Sequence, residues 1–182
     1  MEKVLHFIAP SLSYIDSGKF FRKPFSWLYV TFAVISVLIP FAALFFAIDA
    51  GVFDAGAGAI FTFLLTWFVI VAASWVGMQI WWDRREKVLL TSAEGSEFPA
   101  IPVIAHFVQT LGEWAGTLTA IIGCGASLFM WILQGEAILL LGVPLFPVIG
   151  FLTIVLFRFM AECMRALAAI ANNTKKQQGA AV

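Results

Sequence analysis

All eleven Lys and Arg residues of this chain fall in three segments, and long stretches without any charge separate them. Uncharged residues run from Pro24 to Ile48 (25 residues), Ala55 to Trp82 (28), Trp114 to Gly135 (22) and Ala137 to Phe157 (21). Crossing ~30 Å of hydrocarbon takes ~20 apolar residues in a helix, which closes its own backbone hydrogen bonds where water is absent. Four transmembrane helices are therefore expected. Composition agrees: 62% of residues are hydrophobic and 12% charged, half the roughly 25% charge of an ordinary soluble domain. Four crossings in 182 residues leave short connections and no room for a separate soluble domain.

The basic residues also set an orientation. Lys3, Lys19, Arg22 and Lys23 precede the first stretch; Arg84, Arg85 and Lys87 lie between the second and third; Arg158, Arg165, Lys175 and Lys176 follow the fourth. The outer connections hold only Asp49, Asp54 and Glu136. By the positive-inside rule both termini are expected in the cytoplasm. The first stretch is much longer than the 7–15-residue core of a secretory signal, so it is expected to remain as a span, although Ala47 to Ala50 faintly imitates a cleavage site. Net charge is zero, which gives no reason to expect a nucleic-acid partner. Cys124 and Cys163 fall at different depths, cannot easily pair, and are each read as a buried apolar thiol.

The expected fold class is thus all-α, an integral membrane four-helix bundle with helices extended into the cytoplasm. Residues 1–23 read as an interfacial arm broken by Pro10 and Gly18, and residues 24–174 as the helical domain. Its spans lie at about 24–48, 55–82, 103–133 and 137–171, and residues 175–182 form a polar tail. No breaker interrupts the helix from Trp82 to Leu90, and the turn falls at Ser92 to Pro99. Pro40 in mid-span removes one backbone donor and reads as a kink or, less simply, a hinge. Trp27, Tyr29, Trp75, Trp81, Trp82, Trp114 and Trp131 lie near span ends and read as aromatic anchors.

Three patterns carry the candidate chemistry. Gly112, Gly116, Ala120 and Cys124 recur every four residues, with Gly123 and Ser127 beside them, so another helix can approach this stripe closely. That helix could belong to the same subunit or to a second copy. His106, Gln109, Thr110, Glu113 and Thr117 share one helical face at the inner mouth of span three. In a channel or proton-coupled carrier this face would line a vestibule, with Glu113 attracting cations and His106 able to change charge near neutral pH. In a structural protein it is an ion-paired or solvated face. Arg158, Glu162 and Arg165 form the third pattern, spaced i, i+4 and i+7 at the end of span four. Their depth depends on whether that helix begins near Ala137 or at Pro144 or Pro147. Arg158 is expected to pair with Glu162 or, across the helices, with Glu113.

The run Val148-Ile149-Gly150-Phe151, then Arg158-Phe159-Met160-Ala161-Glu162, then Ala169-Ile170-Ala171-Asn172-Asn173-Thr174, resembles the C-terminal signature of the DUF4282 family of small bacterial membrane proteins. Phe20-Phe21-Arg22-Lys23-Pro24-Phe25 leading to Tyr29 is similar to that family's entry into its first helix. The resemblance covers about a third of the chain, with spans two and three standing between the halves of a two-span module. That family has no assigned activity, so the resemblance implies a bacterial cytoplasmic membrane location and little else.

The sequence has no glycine-rich phosphate loop, no nucleophile beside a base in a recognisable context and no metal-spaced cluster, so no catalytic residue, cofactor or metal is expected. Two functions stay open. One is a non-enzymatic membrane protein, a self-associating scaffold or a subunit of a larger membrane complex, with lipid, a second copy or another membrane protein as partners. The other is a small oligomeric ion channel or proton-coupled transporter using the His106 and Glu113 stripe.

Overall fold

The computed structural model describes residues 19–90 and 100–180. It is all-helical: α1 (Lys19–Asp49), α2 (Ala57–Leu90), α3 (Ala100–Gln134), a 3-10 turn (Ala137–Leu141) and α4 (Gly142–Ala180). All four helices are long and apolar enough to cross a membrane, as expected of a multi-pass membrane protein. At 31, 34, 35 and 39 residues, they reach roughly 46 to 58 Å at ~1.5 Å per residue, well beyond ~30 Å of hydrocarbon.

Their ends follow from local chemistry. The Val52 N–H returns to the Ala47 carbonyl and the Gly51 N–H to that of Ile48, both at 3.0 Å, closing α1. This closure needs a left-handed residue, which Gly51 supplies at φ 67°. Gly135, at φ 72°, stops α3 in the same way. The arm expected over residues 1–23 falls outside the described residues up to residue 18, and from Lys19 onward it is already α1. The helix starts before Pro24 because that proline costs only the bond to the Phe20 carbonyl, near the helix start. The loop expected at Ser92 to Pro99 also falls outside the described residues. At the other end α4 continues through residues 175–180, where a polar tail was expected. Lys and Gln are good helix formers, and no proline follows Pro147.

Helices adjacent in sequence are adjacent in space, α1 against α2, α2 against α3 and α3 against α4, while α1 also touches an edge of α3. Among the described residues α4 approaches neither α1 nor α2. The arrangement is therefore more open than a closed bundle: α1, α2 and α3 share a core, and α4 is laid along α3 alone. That core gathers Tyr29, Ala33, Trp81, Val88 and Val103, with Phe32, Phe107 and Trp114 packed around them, at the end of the helices that carries the basic residues. The apolar stretches themselves stay open to the surroundings, with Phe45, Phe68 and Phe151 each more than 60% exposed. An unpaired apolar face of this extent suits lipid rather than water.

The small-residue stripe of α3 meets α4 of the same chain. A Cβ at Gly112 would overlap the Phe157 side chain, one at Gly116 the Gly150 carbonyl, and one at Gly123 the Phe146 ring. Gly150 is the reciprocal contact, against the Gly116 carbonyl and Ala120. Of the anchors expected at membrane interfaces, Trp27, Trp75, Trp82 and Trp131 are exposed. Tyr29 and Trp81 are instead fully buried, which corrects their assignment as interfacial residues. Pro40 lies within an unbroken α1, and its carbonyl accepts a hydrogen bond from the Trp67 indole N–H at 2.9 Å.

Candidate functional site: a carboxylate held between two guanidiniums

The charge-free stretches of α2, α3 and α4 end at Trp82, Trp114 and Phe157. Within two residues of those ends stand Arg84, Glu113 and Arg158, and the fold brings the three together. Arg84 Nη2 lies 2.6 Å from Glu113 Oε2, and Arg158 Nη2 donates to Glu113 Oε1 at 2.9 Å. Glu113 is the one charged residue of α3. It projects from the flank between the glycine stripe facing α4 and the Phe107, Thr110 and Trp114 side facing α1 and α2. A carboxylate placed there is within reach of long side chains from both neighbours.

Gln109 extends the network by one turn. Its Nε2 donates to Glu113 Oε1 at 3.1 Å, while its Oε1 accepts from Arg165 Nη2 at 3.0 Å. Arg158 and Arg165 both lean from α4 onto α3. Glu162 stands between them in sequence, is exposed and forms no ion pair among the described residues. Of the two pairings open to Arg158, the fold thus makes the interhelical one with Glu113. With its start at Gly142, α4 has 16 charge-free residues before Arg158, or ~24 Å of helix. The 3-10 turn before it supplies the remaining length.

The upper part of the stripe turns toward α1. Tyr29 Oη lies 2.8 Å from His106 Nδ1 and 3.3 Å from Thr110 Oγ1, and the Thr110 hydroxyl donates to the His106 carbonyl at 2.9 Å. With its own proton on the His106 carbonyl, the Thr110 oxygen accepts from the Tyr29 hydroxyl, and the direction of the Tyr29–His106 bond follows the imidazole tautomer. Thr117, a turn outward from Glu113, returns its hydroxyl to the Glu113 carbonyl at 2.7 Å. His106, Gln109, Thr110, Glu113 and Thr117 therefore do share a face, but each has a partner within the chain. Beside them, Trp81 Nε1 is buried without an acceptor among the described residues.

Two cavities flank this arrangement. One of about 240 Å³ opens between α2 and α3 and is lined by Gln79, Ile80, Asp83, Arg84, Lys87 and Glu113. The other, about 430 Å³, lies between the same helices toward their ends away from Arg84 and Glu113 and is almost wholly apolar, with Phe68, Val69, Ile122 and Phe129 in its walls. No three His, Cys, Asp or Glu side chains among the described residues are grouped to hold a metal ion. Cys124, partly buried, donates its thiol to the Val143 carbonyl at 3.1 Å, whereas Cys163 is exposed and free, which corrects the expectation that it is a buried thiol.

Tyr29 and Arg84 are site residues that the sequence reading passed over. Arg84 was legible in principle: Trp81, Arg84 and Val88 follow at intervals of three and four on an unbroken helix, so the arginine shares the face of two core residues. Tyr29 carried no such signal, because an aromatic near a span end is also what an interfacial anchor looks like. Comparison with protein-family models, with curated proteins and with solved structures found no match to this chain.

Proposed function

We propose that this chain is a non-enzymatic, multi-pass protein of the bacterial cytoplasmic membrane, with both termini cytoplasmic, that serves as a scaffold or as one subunit of a larger membrane assembly. One observation carries the reading: the Glu113 carboxylate, the strongest candidate for a permeation or proton-transfer group, is engaged by Arg84 and Arg158 together. An ion-paired carboxylate flanked by two fixed cations repels a permeating cation and ties α2, α3 and α4 into one unit. The open faces of α1 and α4 then meet lipid, a second copy or a partner helix. Because the α3 glycine stripe is already used against α4, self-association would run through those faces. The bacterial location rests on the resemblance of the C-terminal helix, and the orientation on the placement of the basic residues.

A channel or proton-coupled transporter is the second reading, favoured by the polar cavity of about 240 Å³ that reaches Glu113. Flux measurements on liposomes separate the two. The scaffold reading expects no pH-dependent ion flux above that of empty vesicles from a well-folded protein. Flux that is present in the wild type and lost in Glu113→Gln would replace it with the second.

A further inference from the structure

The apolar cavity between α2 and α3 has the size and direction of a single hydrocarbon chain. Its volume is about 430 Å³, roughly three times the ~150 Å³ that admits one benzene ring, or ~18 carbons in all. Its wall runs along α3 from Ile122 to Ile132, which is ~15 Å of helix. Because α3 ends at Gln134, that length matches the depth of one leaflet, half of ~30 Å of hydrocarbon. The mouth is rimmed by the exposed Phe68, Leu128 and Ile132. Inside, Val69 meets Gly125 so closely that a Cβ on the glycine would overlap the valine, so α2 and α3 cannot draw together to close the gap. Left empty, its walls would forfeit their dispersion contacts. The one side-chain hydroxyl in those walls, on Thr66, donates to the Thr62 carbonyl at 3.0 Å, and nothing else among the described residues there calls for a polar ligand. A cavity lined in this way does not hold water. A partner helix ~10 Å across and as long as the wall would need about twice the volume or more.

We infer that this cavity holds one acyl chain of a zwitterionic, amine-bearing phospholipid, drawn from the leaflet at the end of the helices opposite the basic residues. The chain supplies the side-chain contacts that α2 and α3 lack in this half, and the charges beyond the cavity select the headgroup. Asp54 stands three residues before α2 and Glu136 two residues after α3, both are exposed, and neither connection at this end carries a basic residue. Two carboxylates at headgroup level attract an ammonium and repel a headgroup of net negative charge. Phosphatidylethanolamine therefore fits better than phosphatidylglycerol. The site rests on the four helices being inserted in a bilayer, as proposed above, but it does not depend on whether the protein is a scaffold or a channel.

The test uses the full-length chain in liposomes with a trace of phosphatidylethanolamine that carries a diazirine midway along one acyl chain. After illumination, the peptides bearing lipid are located by mass spectrometry. Labels should concentrate on Val69 and Phe129 of the cavity wall, over the more exposed Phe45 of α1 and Phe151 of α4. Ala126→Phe fills the cavity from its wall and should bring those labels down to the level of Phe45 and Phe151. Ala42→Phe adds the same ring to an exposed position of α1 and should leave them unchanged. The wild-type map tests the site even if the filled variant fails to fold. Phosphatidylglycerol with the same labelled chain should mark the cavity about fivefold less, the scale of one surface charge acting on one headgroup, and Asp54→Asn with Glu136→Gln should remove that difference. Labels spread evenly over the cavity and the faces of α1 and α4 mean a lipid annulus only and would overturn the inference. So would cavity labels that persist in Ala126→Phe, or equal labelling of the cavity by the two lipids. Flotation of the same vesicles in alkaline carbonate checks insertion separately: protein stripped from the vesicles refutes the membrane reading, whereas inserted protein without concentrated labels refutes the site alone.

Discussion

Glu113 is nearly enclosed, with its side chain 11% exposed, while its partners Arg84 and Arg158 keep 25% and 53% of theirs open. Breaking a fully buried pair costs about 3–5 kcal/mol, and exposed pairs are worth about 0–1. For this half-open triad, Glu113→Ala should lower unfolding stability by about 2 kcal/mol, measured by denaturant titration in detergent, and Arg158→Gln by less. A Glu113→Ala variant as stable as the wild type would mean that packing alone holds the three helices. Tyr29 offers a second, independent reading. Tyr29→Phe keeps the ring against Trp81 and Phe107 but leaves His106 Nδ1 and Thr110 without the hydroxyl. A loss of about 1–2 kcal/mol is expected from the orphaned buried groups, and a loss near zero would argue that His106 finds another partner. At this scale the sequence indicated less than it did for the helices. A helical wheel placed the α3 polar residues on one face, but it could not say that Tyr29 reaches across from α1 or which carboxylate Arg158 prefers. Those answers depend on how helices dock.

Among the helices, the tightest constraint is the α3 and α4 seam. The Gly116 backbone approaches the Gly150 carbonyl so closely that any side chain there meets backbone, which cannot swing aside. Gly116→Ala should therefore destabilise by ~2 kcal/mol or more, within the cost of forcing extra volume into a packed interface. Gly58→Ala on α2 has nothing within 4 Å and is expected to be neutral or to stabilise slightly by favouring the helix. Thermal melts of the two variants side by side decide whether close packing or glycine flexibility explains the stripe. The helices themselves were legible because an uncharged run longer than a bilayer is thick has few alternatives. Their ends were less so. Pro24 looked like a boundary, yet α1 starts at Lys19, and residues 175–180 read as a tail although their composition favours a helix. Whether the glycine stripe would face its own chain could not be read from α3 alone. The answer lies in Gly150, whose missing side chain matters only when set against Gly116.

For the molecule as a whole, the basic residues at one end give a prediction that mutagenesis of the core cannot. Single cysteines placed near Arg85 should react with impermeant reagents only in inverted vesicles, and cysteines near Val52 only in intact cells. Labelling of both from the same side would reject the orientation. Mass measurement of the detergent-solubilised particle then distinguishes an isolated chain from an assembly that covers the α1 and α4 faces.

The attachment of α4 to α3 alone bears on how the protein is made. The first three helices leave the ribosome with everything needed for their shared core, so a nascent chain released after Gly135 should already insert and hold Arg84 against Glu113. The last helix would be threaded into the lipid afterward and would dock along the glycine seam as a separate event, in the manner of helices that insert first and associate second. During synthesis there is thus an interval in which Glu113 has only half its final set of cations, and a chaperone or insertase would meet the protein in that state.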